Sequence, residues 1–107
     1  MRTILRASLV FVAVAFAFST WSVAADSGGD IFKSKCAVCH GAIGAGDTGM
    51  GKTLKLRDLG SSEVQSQSDA DLTNIITNGK GKMPKYEGKL TNDQINEVVK
   101  YVRTLKK

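Results

Sequence analysis

Both cysteines of the chain and its one histidine fall within five residues, Cys36-Ala37-Val38-Cys39-His40. A Cys-x-x-Cys-His run lets two thiols add to the two vinyl groups of a haem while the adjacent imidazole lies beneath the iron. In this reading Cys36 and Cys39 are covalent tethers and His40 is one axial ligand, its other ring nitrogen donating to a backbone carbonyl that orients the ring. Three other chemistries compete for the same residues. Two cysteines in an exported chain pair by default as a disulfide, but the histidine beside them shifts the balance to haem. A thioredoxin-like redox pair needs a strand before the motif and a βαβ setting, which the chain lacks. A structural zinc site needs four ligands, and no second cluster exists.

The sixth position on the iron decides between electron transfer and chemistry on a bound ligand, because a filled position excludes dioxygen and peroxide. Methionine is the side chain available to fill it. Met1 lies in a leader segment, which leaves Met50 and Met83. Met83 stands in a polar, basic turn between Lys82 and Pro84 where periodicity offers a thioether no core to join, and Pro84 stiffens the loop. Met50 comes soon after His40 on the proximal side, so it is read as packing of the haem pocket and Met83 as the second iron ligand. A thioether ligand raises the reduction potential relative to a second histidine. Nothing resembles a catalytic acid–base pair, so the chain is not read as an enzyme.

The elements that must position these residues are helical. A first helix is expected from about Gly28 to Cys39, capped by Asp26 or Ser27, with Ile31, Phe32 and Lys35-Cys36 at helical spacing. Residues 41–51 hold five glycines in eleven positions, a loop suited to positive φ and to passing close to a flat ligand. A phosphate cradle is the rival reading, but Gly44-Ala45-Gly46 follows no strand and Gly51-Lys52-Thr53 lacks P-loop spacing. Ser68 and Asp71 form a weak capping box for a helix carrying Leu72, Ile75 and Ile76 and stopped by Gly79. Thr91 and Gln94 form a full capping box for a last helix with the stripe Ile95, Val98, Val99, Val102 and Leu105. No convincing alternation of period two appears, and the fold class is all-α.

The N-terminus reads as a signal peptide over residues 1–25. Arg2 and Arg6 make a basic start, Ala7 to Phe18 is apolar apart from Ser8, and Val23-Ala24-Ala25 offers a small-residue cleavage site. That apolar run is short of the about 20 residues of a membrane span, with an uncleaved anchor that tethers the protein to a membrane as the alternative. Export to the periplasm is expected. Cleavage after Ala25 leaves residues 26–107 as one domain; of fifteen basic residues thirteen remain against ten acidic ones, a net charge of +3 in place of +5. A domain of this size has too few large apolar side chains for a core of its own and needs a staple.

The chain resembles the class I c-type cytochromes, the short monohaem kind, over essentially all of residues 26–107. Cys36, Cys39 and His40 match the family's attachment motif, Met83-Pro84 its distal loop, Gly28 and Phe32 its first helix, and Val98 and Tyr101 the partner positions on its last helix. The resemblance implies a few helices wrapped round one covalently attached haem c, first and last helices packed nearly at right angles with Gly28 at their crossing, one haem edge exposed, and a soluble one-electron carrier. One departure concerns the proximal loop, where the family often has a proline and this chain has Gly49. The carbonyl that should hold His40 would then come from a looser segment.

Lys80, Lys82, Lys85 and Lys89 cluster round Met83, with Lys33, Lys35, Lys52 and Lys55 as further members of a basic face. Such a face is either a solvated surface or a steering ring for an acidic patch on a larger redox protein, donor or acceptor. Haem chemistry and export argue against nucleic acid as a partner, and the protein is expected to act as a monomer.

Overall fold

A computed structural model describes residues 27–107. The signal peptide expected over residues 1–25, and Asp26 as a possible cap, lie outside the described residues. The order is α1 (Gly28–Ile31), a π-helical turn (Phe32–Cys36), α2 (Ala37–His40), α3 (Gly49–Leu54), α4 (Ser62–Gln65), α5 (Asp69–Asn78) and α6 (Asn92–Thr104). Among the described residues only isolated backbone bridges occur in place of strands, Lys80 with Met83 and Glu87 with Leu90. The all-α expectation holds.

The first helical run starts at Ser27, whose hydroxyl accepts from the Asp30 amide, and extends to His40. Its middle turn is wider than the sequence predicts. The amide of Ala37 reaches back to the carbonyl of Phe32, an i to i+5 bond, and Cys36 sits at φ −108°. Such a π turn adds a residue to one turn and so rotates the residues after it, a device found often at functional sites. Here it lies directly before the Cys36-to-His40 turn.

The last helix is set by its cap. The Gln94 amide donates to Thr91 Oγ1 at 3.1 Å and the Thr91 amide to Gln94 Oε1 at 2.8 Å, so each of two otherwise unpaired amides is satisfied by the other residue's side chain. Ile95, Val98, Val99 and Val102 are buried, while Leu105 falls just past the helix end and is half-buried, so the apolar stripe is one residue shorter than expected. The core joins these to Ile31, Phe32, Val64, Leu72, Ile76 and Leu90.

Helices α1 and α6 meet where Gly28 lies against the backbone of Glu97 and Val98. A Cβ at Gly28 would fall inside the van der Waals distance of the Glu97 carbonyl. The missing side chain thus permits the crossing that the resemblance implies. One turn later Phe32 stacks on Tyr101 with ring centroids 5.1 Å apart and a 47° tilt, a favourable offset arrangement.

The end of α6 is tied down by Arg103, which the sequence offered no means of singling out. Its guanidinium donates to the carbonyls of Gln65 (2.9 Å) and Gln67 (2.5 Å) and pairs with Asp69 at 2.8 Å. One planar fork therefore holds the α4–α5 connection. Because the Gly28 contact is backbone on backbone, Gly28→Ala must push α1 and α6 apart. It is expected to cost the haem-loaded protein about 1–3 kcal/mol of unfolding free energy, read from guanidinium denaturation. An unchanged midpoint would show that the crossing does not depend on this contact.

Candidate functional site

The helices leave a cleft where a core would otherwise continue. Its inner lobe, about 260 Å³, is lined mainly by apolar side chains, among them Phe32, Leu56, Leu72, Ile75 and Val98, with Cys36, His40 and Met83 on its wall. An outer lobe of about 460 Å³ has Cys36, Cys39, His40, Leu54, Met83 and Tyr86 on its lining. Cys36, His40, Leu56, Lys80 and Met83 border both lobes, so the two are parts of one slot. The four residues singled out for haem chemistry, Cys36, Cys39, His40 and Met83, are brought to this one slot from two segments far apart in sequence.

The proximal wall is the turn Ala37–His40. Cys36 and Cys39 are both half-buried and are not joined to each other as a disulfide. Burial pushes the Cys36 thiol up to about 11, opposed by the neighbouring Lys35 and assisted by Cys39. His40 is shifted the other way, below the ordinary imidazole value, again by burial. Its ring stands 6.3 Å from that of Phe32. Its Nδ1 is buried without a hydrogen-bond partner. The expectation that a backbone carbonyl would accept from this ring is therefore not met. A buried imidazole whose polar need the polypeptide leaves unmet calls for another partner, and a metal-bearing group in the slot is one the residues fit.

The loop after His40 passes through positive φ at Gly41, Gly44 and Gly46, as its glycine content predicts. It is better fastened than the absence of the family's proline suggests. The Gly46 amide donates to the His40 carbonyl at 2.7 Å and the Thr48 hydroxyl to the Cys39 carbonyl at 2.8 Å. That same Thr48 oxygen accepts from the Gly51 amide at 2.9 Å and starts α3, so one side chain joins the attachment turn to a new helix. Met50, expected to pack in the pocket, instead lies on the outside of α3 and is 52% exposed. The reason is local: α3 begins at Gly49, and its helical turn buries Gly51 and half-buries Leu54 while carrying Met50 outward.

The distal wall is the loop after α5. Lys80 and Met83 exchange backbone bonds of 3.2 and 3.0 Å across Gly81-Lys82, with Gly81 at φ +57°. The turn is pinned to α5 by the Tyr86 amide on Ile76 and the Glu87 amide on Thr77. Gly79 sits at φ +75°, and a Cβ there would come within 2.6 Å of the Met83 carbonyl, so glycine is needed both for the turn and for the approach. Met83 is half-buried and packs against the core. Lys55, read in the sequence as part of the basic face, lines the inner lobe; among the residues missed are Arg57 and Gln67, which with it give that lobe a polar fringe, and Tyr86, whose role depends on a bond across the slot. Their signal is tertiary and no local pattern carries it.

The chain is similar to several known proteins. The family model for subunit III of cbb3-type cytochrome c oxidase matches residues 23–102. The chain is 41% identical to cytochrome c6 of Nostoc sp. over 100 residues, covering 89% of this chain and 87% of that relative. It is likewise 41% identical to cytochrome c6 of Leptolyngbya boryana over 81 residues, 73% of this chain and 88% of that protein. Among solved structures the c-type cytochrome KustC0563 superposes with a TM-score of 0.71 at 30% identity, covering 76% of this chain and 99% of the other. Cytochrome c6C from Synechococcus sp. PCC 7002 superposes with a TM-score of 0.56 at 29% identity, over 72% and 90% of the two chains.

The proximal loop makes a prediction of its own. Gly49 is the first residue of α3, where the amide has no intrahelical partner. Thr48 before it has the extended backbone (φ −72°, ψ 163°) that a proline at the next position requires, and a Cβ at Gly49 meets nothing within 4 Å. Gly49→Pro is therefore expected to stabilise the protein by about 0.4–1 kcal/mol by restricting the unfolded chain, seen as a raised thermal midpoint. A lowered midpoint would mean that the loop needs the glycine.

Proposed function

The chain belongs to the class I c-type cytochromes, and from that premise we propose that it is a one-electron carrier whose iron is ligated by His40 and Met83, on a haem c tethered through Cys36 and Cys39. Family membership brings the covalently attached haem c and the role of electron carrier in place of enzyme. The observation that carries the ligand assignment is that His40 and Met83 both border the two lobes of a single slot, with Cys36 on the same wall.

When bound, the haem iron supplies reversible one-electron redox chemistry. The chain's own residues do the rest. Cys36 and Cys39 fix the group's position by covalent bonds, and His40 offers a buried nitrogen. Met83 offers a thioether on a loop braced by backbone bonds to α5 and stiffened by Pro84. The apolar lining excludes water, and Lys55, Arg57 and Gln67 present cations and an amide to the carboxylates that a haem carries. Both iron positions being filled leaves no place for a substrate, which suits a carrier.

Partners are larger redox proteins. The outer lobe opens beside Lys35, Lys80 and Lys82, all exposed, with exposed Pro84 and Val38 at the same rim. Lys33, Lys52, Lys55, Lys85 and Lys89 are exposed as well and extend the basic surface. This face steers the protein onto an acidic patch, raising encounter rate more than affinity. Residues 1–25 direct export to the periplasm and are removed there, and the carrier works as a monomer. No described helix is long and apolar enough to cross a membrane.

Met83→Ala is expected to abolish the thioether–iron absorption band of the oxidised protein and to let the reduced protein bind carbon monoxide rapidly, which the parent does only slowly. A band that survives, or that disappears only on changing Met50, contradicts the ligand assignment. The docking face predicts that electron transfer with an acidic redox protein slows steeply as ionic strength rises beyond about 0.1 M. A rate independent of salt would remove the lysines from docking.

A further inference from the structure

The backbone anchors of the distal loop all run in one direction. Gly79, Tyr86 and Glu87 bond back to α5, Met83 bonds to Lys80, and Lys89 and Leu90 bond to the Tyr86 carbonyl. None of these reaches the proximal wall, so the width of the slot is left to side chains. Among the described residues one hydrogen bond crosses from this loop to the helical run that carries Cys36 and His40: the Tyr86 hydroxyl donates to the Lys35 carbonyl at 3.1 Å. Lys35 lies in the π turn, one residue before Cys36.

We propose that Tyr86 is a positioning residue that latches the Met83 loop to the π turn, so that closing the latch holds the thioether on the iron. The proposal rests on the reading of Met83 as the second axial ligand. The ring of Tyr86 is half-buried, packs against the core and lines the outer lobe beside Met83 and both cysteines. It enters the slot edge from the distal side, while its hydroxyl ends on the proximal side. The Lys89 ammonium stands 5.8 Å from the ring centroid, within the range of a cation–π contact, and bears on the ring from the loop's own side. Proximal and distal walls are thereby joined near the point where Cys36 tethers the haem. Tyr86 is itself fixed to α5 by its amide on Ile76, so its hydroxyl ties that end of the loop to the π turn, and any opening that carries Tyr86 away from the proximal wall must break the Tyr86–Lys35 bond.

A loop held by one such bond has a defined cost of opening. Removing the hydroxyl while keeping the ring takes away one hydrogen bond and little packing. For a bond of ordinary net worth this raises the open population about three- to tenfold.

The test uses the purified haem-loaded protein in its oxidised form. Imidazole replaces a dissociating methionine at a rate set by loop opening, so its binding is followed in the parent and in Tyr86→Phe, alongside the thioether–iron band of each. The expected result is that both proteins show the band at rest and that Tyr86→Phe binds imidazole about three- to tenfold faster. A residue that only packed would leave that rate unchanged, because its ring is retained. Equal rates with the band present in both would overturn the latch and leave Met83 in place. A parent without the band would overturn the Met83 reading and the latch with it.

Discussion

The rest of the structure depends on a core that the polypeptide does not complete. Ten large apolar side chains are buried among the described residues, yet between them runs a slot lined by Phe32, Leu56, Leu72, Ile75 and Val98 that opens on the histidine and the cysteines. In a domain this small, burial of apolar surface scarcely exceeds the entropy lost on folding. A large flat apolar group, the covalently attached haem c of the family, supplies the missing interior. Folding and haem attachment are therefore two aspects of one event, and the helices act as walls for a slot more than as a bundle in their own right.

The two walls are held by different means. The proximal wall is local: the π turn, α2 and the loop to α3 are continuous in sequence and are joined by the Thr48 hydroxyl on the Cys39 carbonyl and the Gly46 amide on that of His40. The distal wall hangs from the end of α5 by backbone bonds. Behind both, the contact of Gly28 with the Glu97–Val98 backbone fixes α6 against α1, and Phe32 links that crossing to the proximal wall through its contacts with Tyr101 and His40. A carrier gains from this division. The wall that carries the cysteines is built from neighbouring residues, and the wall that carries Met83 is braced by its bonds to α5.

The parts legible in the sequence are those whose physics is local. Thr91 with Gln94, Ser68 as a cap, Gly79 as a stop and the stripe from Ile95 to Val102 each depend on neighbours a few residues away, and each forms as its spacing predicts. Cys36, Cys39 and His40 were singled out by their spacing and do line one slot, and Gly28 was legible through resemblance. The features that could not be read are tertiary or depend on a single extra residue in a turn. The π turn has no composition signal. Helix α3 was hidden by the glycines of its loop, and with it went the outward direction of Met50. Arg103 and Tyr86 bond to carbonyls far away in the chain, and a surface arginine or a loop tyrosine gives no hint of such partners. The carbonyl expected at His40 is a different kind of miss. It was taken from the general habit of metal-ligating histidines, and the Gly49 loop spends its bonds on the carbonyls of Cys39 and His40 instead.

The central claim is that one haem is bound covalently through Cys36 and Cys39 and completes the core. The direct measurement is the mass of the intact protein, purified from its natural compartment and unfolded before ionisation. The expected result is a polypeptide heavier by one haem, with neither thiol open to alkylation. A protein at the mass of the bare chain, with both cysteines alkylated or joined as a disulfide, would contradict it.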